Sequence, residues 1–214
     1  MYYGLSEPKV FNCEEKICHN VIKVYKEFND KFLVKNNREK LKGDFIYVEN
    51  IKEYGVNKCF LHSVSIRDNE KYGIYPCTND ITYIICNTKC ISDSKSNIRC
   101  VVNLKQNRAI CYYRLARIHW VPEIIAKANE DDVNIKMWSK TFKDRTTGQM
   151  RVKKRFVWYK CGLANYVIIF EEKYKDGRLN FLKYITSYPV FGKQTEKGFE
   201  KDFRDYMLNK KGNK

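Results

Sequence analysis

The sequence predicts an α+β protein, with helices packed on a small antiparallel β-sheet meander and an N-terminal helix-plus-strands region before it. Three patterns carry that reading. Between residues 12 and 32 apolar residues recur every three or four positions, the period of one helix face. Between residues 154 and 190 three β-branched and aromatic runs follow one another, two of them joined by Asp176-Gly177, a strong hairpin signal. Near the C-terminus Phe199, Phe203 and Tyr206 return to helical spacing. With 214 residues, 43% of them hydrophobic and 14% aromatic, the chain can bury a proper core, which excludes an intrinsically disordered protein.

Taken in order, Asn12 is placed to cap the first helix and Glu15 to complete a capping box. Ile17, Val21, Tyr25, Phe28 and Phe32 form its inward face, and a charged stretch over 35–43 ends the unit. Residues 45–48, 58–64 and 81–86 read as strands, being β-rich runs separated by Asn, Asp and Gly. Ser92-Asp93-Ser94-Lys95-Ser96-Asn97 has linker composition. It divides the chain into an N-terminal α+β region, 1–97, and a second domain, 98–214, although it serves equally well as a surface loop of one domain. Residues 98–104 are expected to form a strand, and 111–128 a helix interrupted or restarted at Pro122, a residue suited to a first helical position. Residues 129–150 are polar and weakly patterned, and are expected to hold a mobile loop around Thr146-Thr147-Gly148. The meander follows as 154–160, 166–174 and 179–190.

Charge narrows the function. The formal net charge is +16, and it is unevenly spread: residues 101–214 hold 25 Lys/Arg against 12 Asp/Glu, residues 1–100 only 16 against 13. A field concentrated on one half favours a polyanionic partner over mere solubility. The N-terminus has no apolar h-region and the longest apolar stretch, 166–170, is far too short for a membrane span. The expectation is therefore a cytoplasmic protein, without membrane association, whose nine cysteines stay reduced. Cys13, Cys18-His19, Cys59, His62, Cys77, Cys86 and Cys90 can be combined into a zinc site on paper. The paired Cys-x2-Cys knuckles that would argue for one are missing, so no metal or other cofactor is expected.

The basic half also holds a candidate constellation. Strand alternation puts Tyr184, Thr186 and Tyr188 on one face and Lys183, Ile185 and Ser187 on the other. Lys153-Lys154-Arg155 enters the first strand of the same meander, and Arg114, Arg117 and His119 sit on the helix before it. Metal-free cleavage of RNA needs a base for the 2′-hydroxyl, cations for the charge growing on the phosphoryl oxygens, and an acid for the leaving 5′-oxygen. Arg and Lys meet the second need, Thr186 can donate to a phosphoryl oxygen, and Tyr184 or Tyr188 can stack on a base. His119 has the residue type for proton transfer.

Two segments resemble a known family. Arg114-Leu115-Ala116-Arg117-Ile118-His119-Trp120-Val121 is similar to the Arg-x-x-Arg-Ile-x-Trp-Ile segment, and Thr186-Ser187-Tyr188-Pro189-Val190 to the Thr-Ala-Tyr-Pro-Val signature, of the barnase–EndoU–colicin–RelE-like nucleases, in particular their phage-associated branch. The resemblance covers roughly residues 98–192. It implies helices on a four-stranded antiparallel sheet and a toxin-type, metal-independent endoribonuclease. By position it implies Arg117, Thr186 and the cation at Lys154 or Arg155 as catalytic residues, with His119 as a further candidate. Arg114, Lys153, Tyr184 and Tyr188 are the expected substrate contacts. RNA is the implied partner, and a toxin of this kind implies an antitoxin or immunity protein. A non-catalytic RNA- or DNA-binding module on the same basic fold is the alternative, and an acidic protein is a third class of partner.

Overall fold

The computed structural model of the chain describes residues 1–11, 17–53, 55–67, 108–143, 148 and 150–212. The expected strand at 81–86, the expected strand at 98–104, the linker at 92–97, the cap at Asn12, and Cys13, Cys77, Cys86 and Cys90 lie outside these residues. Within them the architecture is α+β, as the sequence patterns predict.

Helix α1 (Ile17–Phe28) runs on into one π turn, Asn29–Leu33. The extra turn brings Phe32 into the core beside Phe28, their ring centroids 5.1 Å apart. Three short strands follow, β1 (Ile46–Tyr47), β2 (Lys52–Glu53) and β3 (Val56–Asn57). Residues 58–64, expected as a strand, form helix α2 (Lys58–Val64). Asn57 decides this: its side-chain oxygen accepts from the Cys59 N–H at 2.9 Å, and the turn it starts buries Cys59, Phe60, Ser63 and Val64. Asn57→Ala is expected to lower stability by about 1 kcal/mol, measurable as a shifted urea midpoint.

β4 (Ser65–Arg67) pairs with β5 (Arg108–Ile110), and the short helix α3 (Tyr112–Leu115) leads into α4 (Trp120–Asn129). The break falls at 116–119, not at Pro122. Pro122 sits in the first turn of α4, where its missing N–H would have had no helical partner. The interval expected as loop contains an edge strand, β6 (Ile135–Lys143). Only Trp138 of that strand is buried, so it lacks the alternation that marks a half-buried strand in sequence. The meander is β7 (Met150–Cys161), β8 (Ala164–Lys175) and β9 (Arg178–Pro189), and α5 (Lys193–Gly212) closes the described chain.

The main sheet has the order β1-β9-β8-β7-β6, antiparallel except for β1, which runs parallel to β9. One sheet face packs against α1, α2 and α4 through Val21, Phe60, Ile124, Ile168, Phe170, Leu182 and their neighbours. The other is covered by α5, whose Phe199, Phe203 and Tyr206 meet Trp138, Phe156, Trp158, Val167 and Ile169. The described parts of 1–97 therefore share one core with 98–214, and Ile46 and Tyr47 extend the same sheet.

Candidate functional site

The two segments that carry the family resemblance meet at one end of the sheet. On α3, Tyr113 packs edge-on to Phe191 with centroids 4.6 Å apart. The Arg114 guanidinium lies 5.4 Å from the centre of the Tyr188 ring and donates to the Ser65 carbonyl at 2.9 Å. One helical turn on, Arg117 places its guanidinium 3.4 Å from the centre of the Tyr113 ring and 5.4 Å from that of Trp120. It donates to the Tyr113 carbonyl, yet its Nε has no hydrogen-bond partner. Both arginines are 9% exposed.

Thr186 sits opposite Ile169, and Tyr188 opposite Val167. Directly opposed residues share a face, so both stand on the face that α5 covers. Thr186 is 7% exposed and its hydroxyl has no partner. Tyr184 does not join them, correcting the expected alternation. The register slips between Ile169 and Phe170, so that Tyr184 faces Phe170 and Ser187 faces Ile168. This β-bulge at Ile185 reverses parity along β9. Tyr184 is instead a fully buried clasp: its hydroxyl lies 2.8 Å from Ser63 Oγ and 2.9 Å from Ser187 Oγ. Burial, opposed by those hydrogen bonds, raises the phenol far above its ordinary range. It is a core residue and not a substrate contact.

The Lys153-Lys154-Arg155 cluster divides between faces. Lys154 opposes Glu171 on the α5 side, and its ammonium sits 5.2 Å from the Phe142 ring centre. Arg155 opposes Phe170 on the other side, where it donates to Asp44 Oδ2 at 2.5 Å and to Glu172 Oε1 at 2.9 Å. Those carboxylates hold the guanidinium above its ordinary value although burial acts the other way. Lys153 is 3.2 Å from Glu172 and donates to the Tyr174 hydroxyl at 2.9 Å. The three cations expected around one phosphate are thus separated, and Arg155 is saturated by carboxylates from its own chain.

Sequence reasoning missed the centre of that network, Glu172. It is 5% exposed and also accepts from Ser139 and Tyr174, each at 2.5 Å. Burial would raise its carboxyl, but hydrogen bonds from Ser139, Tyr174 and Arg155 and the Arg155 charge outweigh this and hold it at about 2. The signal was present in parity: 172 continues the inward series 166, 168, 170 of β8. An acid at an inward strand position calls for a buried cation.

His119 lies at the entry to α4, its ring edge-on to Trp120 at 6.2 Å. Burial, reinforced by Lys9 and Lys31 and opposed by Glu123 and a backbone hydrogen bond at Glu7, lowers its pKa. Its Nδ1 is buried without a partner. Among the described residues no three His, Cys, Asp or Glu side chains group as metal ligands, and no helix is long and apolar enough to cross a membrane. Cys18, Cys59 and Cys161 are free thiols.

Comparison with protein-family models, with curated proteins and with solved structures finds no match to this chain.

Proposed function

We propose that the chain is a toxin-type endoribonuclease that cleaves RNA without metal, using Arg117 and Thr186 at the phosphate and Arg114 with Tyr188 as substrate contacts. One observation supports this reading above the others. Of the four buried side-chain polar atoms without a partner among the described residues, three belong to Arg117, His119 and Thr186. A buried donor or acceptor left unpaired costs about 1–3 kcal/mol, so such groups require an explanation, and phosphate oxygens are acceptors of the kind that the Arg117 Nε–H and the Thr186 hydroxyl each lack. In the reaction the 2′-hydroxyl gives up its proton to a base as its oxygen attacks phosphorus, and the 5′-oxygen leaves and takes a proton from solvent, giving a 2′,3′-cyclic phosphate and a free 5′-hydroxyl. Arg117 and Thr186 would stabilise the charge on the non-bridging oxygens. Burial lowers the pKa of His119, which favours the role of base over that of acid.

Lys153, Lys154 and Arg155 hold no catalytic role in this reading. The protein acts in the cytoplasm, where its RNA target and reduced thiols coexist, and the cell that makes it needs a neutralising antitoxin or immunity protein.

The test is digestion of a defined RNA by purified protein in excess EDTA. Thr186→Val keeps the shape and deletes only an unpaired hydroxyl, so its stability is expected to be unchanged or slightly higher. Its cleavage rate is expected to fall 10²–10³-fold, the usual effect of losing one transition-state donor. Unaltered cleavage by both this variant and Arg117→Ala would refute the assignment.

The alternative is a non-catalytic nucleic-acid-binding module. What favours it is the burial of Arg117, stacked on the Tyr113 ring, and of Thr186, on the sheet face that α5 covers. Salt-sensitive binding with intact RNA in every assay selects it.

A further inference from the structure

The basic residues of α5 are sorted by the fold into a surface that its sequence conceals. The helix carries six Lys/Arg and four Asp/Glu in mixed order. Phe199, Phe203 and Tyr206 seat it on the sheet, and this rotation turns three of the acids downward. Glu196 accepts from Lys160 at 2.8 Å and from Asn165 at 2.6 Å. Glu200 accepts from Lys136 at 2.6 Å, and Asp202 from Lys140 at 2.7 Å. The sheet's own lysines neutralise these carboxylates.

What remains outside is a row of cations. Lys193, Lys197 and Lys201 follow at four-residue intervals and Arg204 lies three further on, so all four fall on one helix face. All are exposed and none has an ion-pair partner among the described residues. The one α5 acid left without a sheet partner is Asp205, also exposed. Successive lysines rise about 6 Å along the axis, the scale of successive phosphates on one strand.

At the C-terminal end of the row a cavity of about 350 Å³ is lined by Phe203, Arg204, Met207 and Leu208 together with the Lys136–Glu200 pair. Met207 and Leu208 are 40% and 62% exposed, so an apolar recess opens beside the last cation. Cations that track a backbone and aromatic side chains on which bases stack are the two elements of single-strand recognition, and Phe203 is the aromatic member of this recess. A duplex keeps its bases stacked and has none to place there.

We propose that the outer face of α5 binds single-stranded RNA, with Lys193, Lys197, Lys201 and Arg204 along the phosphates and one unstacked base in the recess beside Leu208. The choice of RNA rests on the ribonuclease reading above; the surface itself uses none of that site's residues.

The experiment is fluorescence anisotropy of the full chain with a 2′-O-methyl RNA oligonucleotide, as a single strand and as a duplex, over a range of salt. That probe lacks the free 2′-hydroxyl and is not cleaved by transesterification, so binding is read apart from chemistry. The triple variant K193Q/K197Q/K201Q is compared with K23Q/K26Q/K31Q on and just beyond α1, which removes the same charge from other exposed lysines. The α5 variant is expected to bind the single strand roughly tenfold more weakly and to lose about 2 from the log–log salt slope. The control is expected to change little, and the duplex to bind more weakly than the single strand. Equal effects of the two variants, or a duplex bound as tightly as the single strand, would overturn the proposal. Wild-type protein that binds no RNA refutes both this surface and the ribonuclease reading. Wild-type binding that the α5 variant leaves intact refutes the surface alone.

Discussion

Arg155→Ala is expected to destabilise the protein by about 3–5 kcal/mol, because it leaves the Glu172 carboxylate buried with its main counter-charge removed. Glu172 keeps donors in Ser139 and Tyr174 and an ammonium in Lys153 at 3.2 Å, which places the effect toward the lower end of that range. Asp44, the guanidinium's other partner, is more exposed and contributes less. Replacing the pair together, Arg155→Met with Glu172→Met, is expected to cost less than the sum of the single changes, since no orphaned charge remains.

The same network sets an acid dependence. The folded-state pKa of Glu172 is depressed from its ordinary value of 4.5 to about 2. Its contribution, about 3 kcal/mol at most, is therefore fully present above pH 4.5 and is lost as pH falls through about 2. Urea denaturation at pH 7, 4 and 2.5 checks both points. The gap between wild type and Arg155→Ala is expected to narrow on acidification; a constant gap would show that Glu172 is not the group being stranded.

Trp138→Ala is expected to cost about 3–5 kcal/mol and to loosen α5. Trp138 is 1% exposed and stacks on Phe156 at 5.0 Å with an interplanar angle of 4°. It also meets Phe199 at 5.4 Å and Phe203 at 6.3 Å, so it is the residue on which two aromatic contacts of the helix converge. Trp138→Phe should behave quite differently. The indole Nε1 is buried without a partner, and deleting an unpaired donor recovers part of the lost contact energy. A cost below about 1 kcal/mol is expected for Phe. Thermal melts report the stabilities, and proteolysis within α5 reports whether the helix has detached. Equal losses for Ala and Phe would mean that the indole N–H is satisfied in solution.

The elements legible in the sequence were those whose burial repeats with one period. The α1 face, the β7–β9 meander and the Phe199–Phe203–Tyr206 face of α5 are of this kind, and each is found where the pattern puts it. β6 was invisible because an edge strand with a single buried residue carries no alternation. α2 was mistaken for a strand because a seven-residue apolar run fits either state, and the Asn57 cap decided between them.

Of the candidate site, the sequence supplied the residue types, and the tertiary structure brought the arginine helix against the terminal strand, with Arg114 over Tyr188. Which side chains share that surface was another matter. One extra residue at Ile185 moved Tyr184 into the core and left Thr186 and Tyr188 on the opposite face. Register is a property of a pair of strands, and no single strand encodes it.

The sequence by itself determined the α+β class, the excess of positive charge in the second half and the residue types available for phosphate chemistry, because composition and local period are properties of the chain alone. Only the tertiary structure decided which cations are neutralised. Arg155 is claimed by Glu172 and Asp44, and the acids of α5 by lysines of the sheet, leaving Lys193, Lys197, Lys201 and Arg204 outward. The physical reason is that an ion pair forms between residues brought within about 4 Å by packing, and separations of 17 to 111 residues along the chain hide such pairs from any local reading.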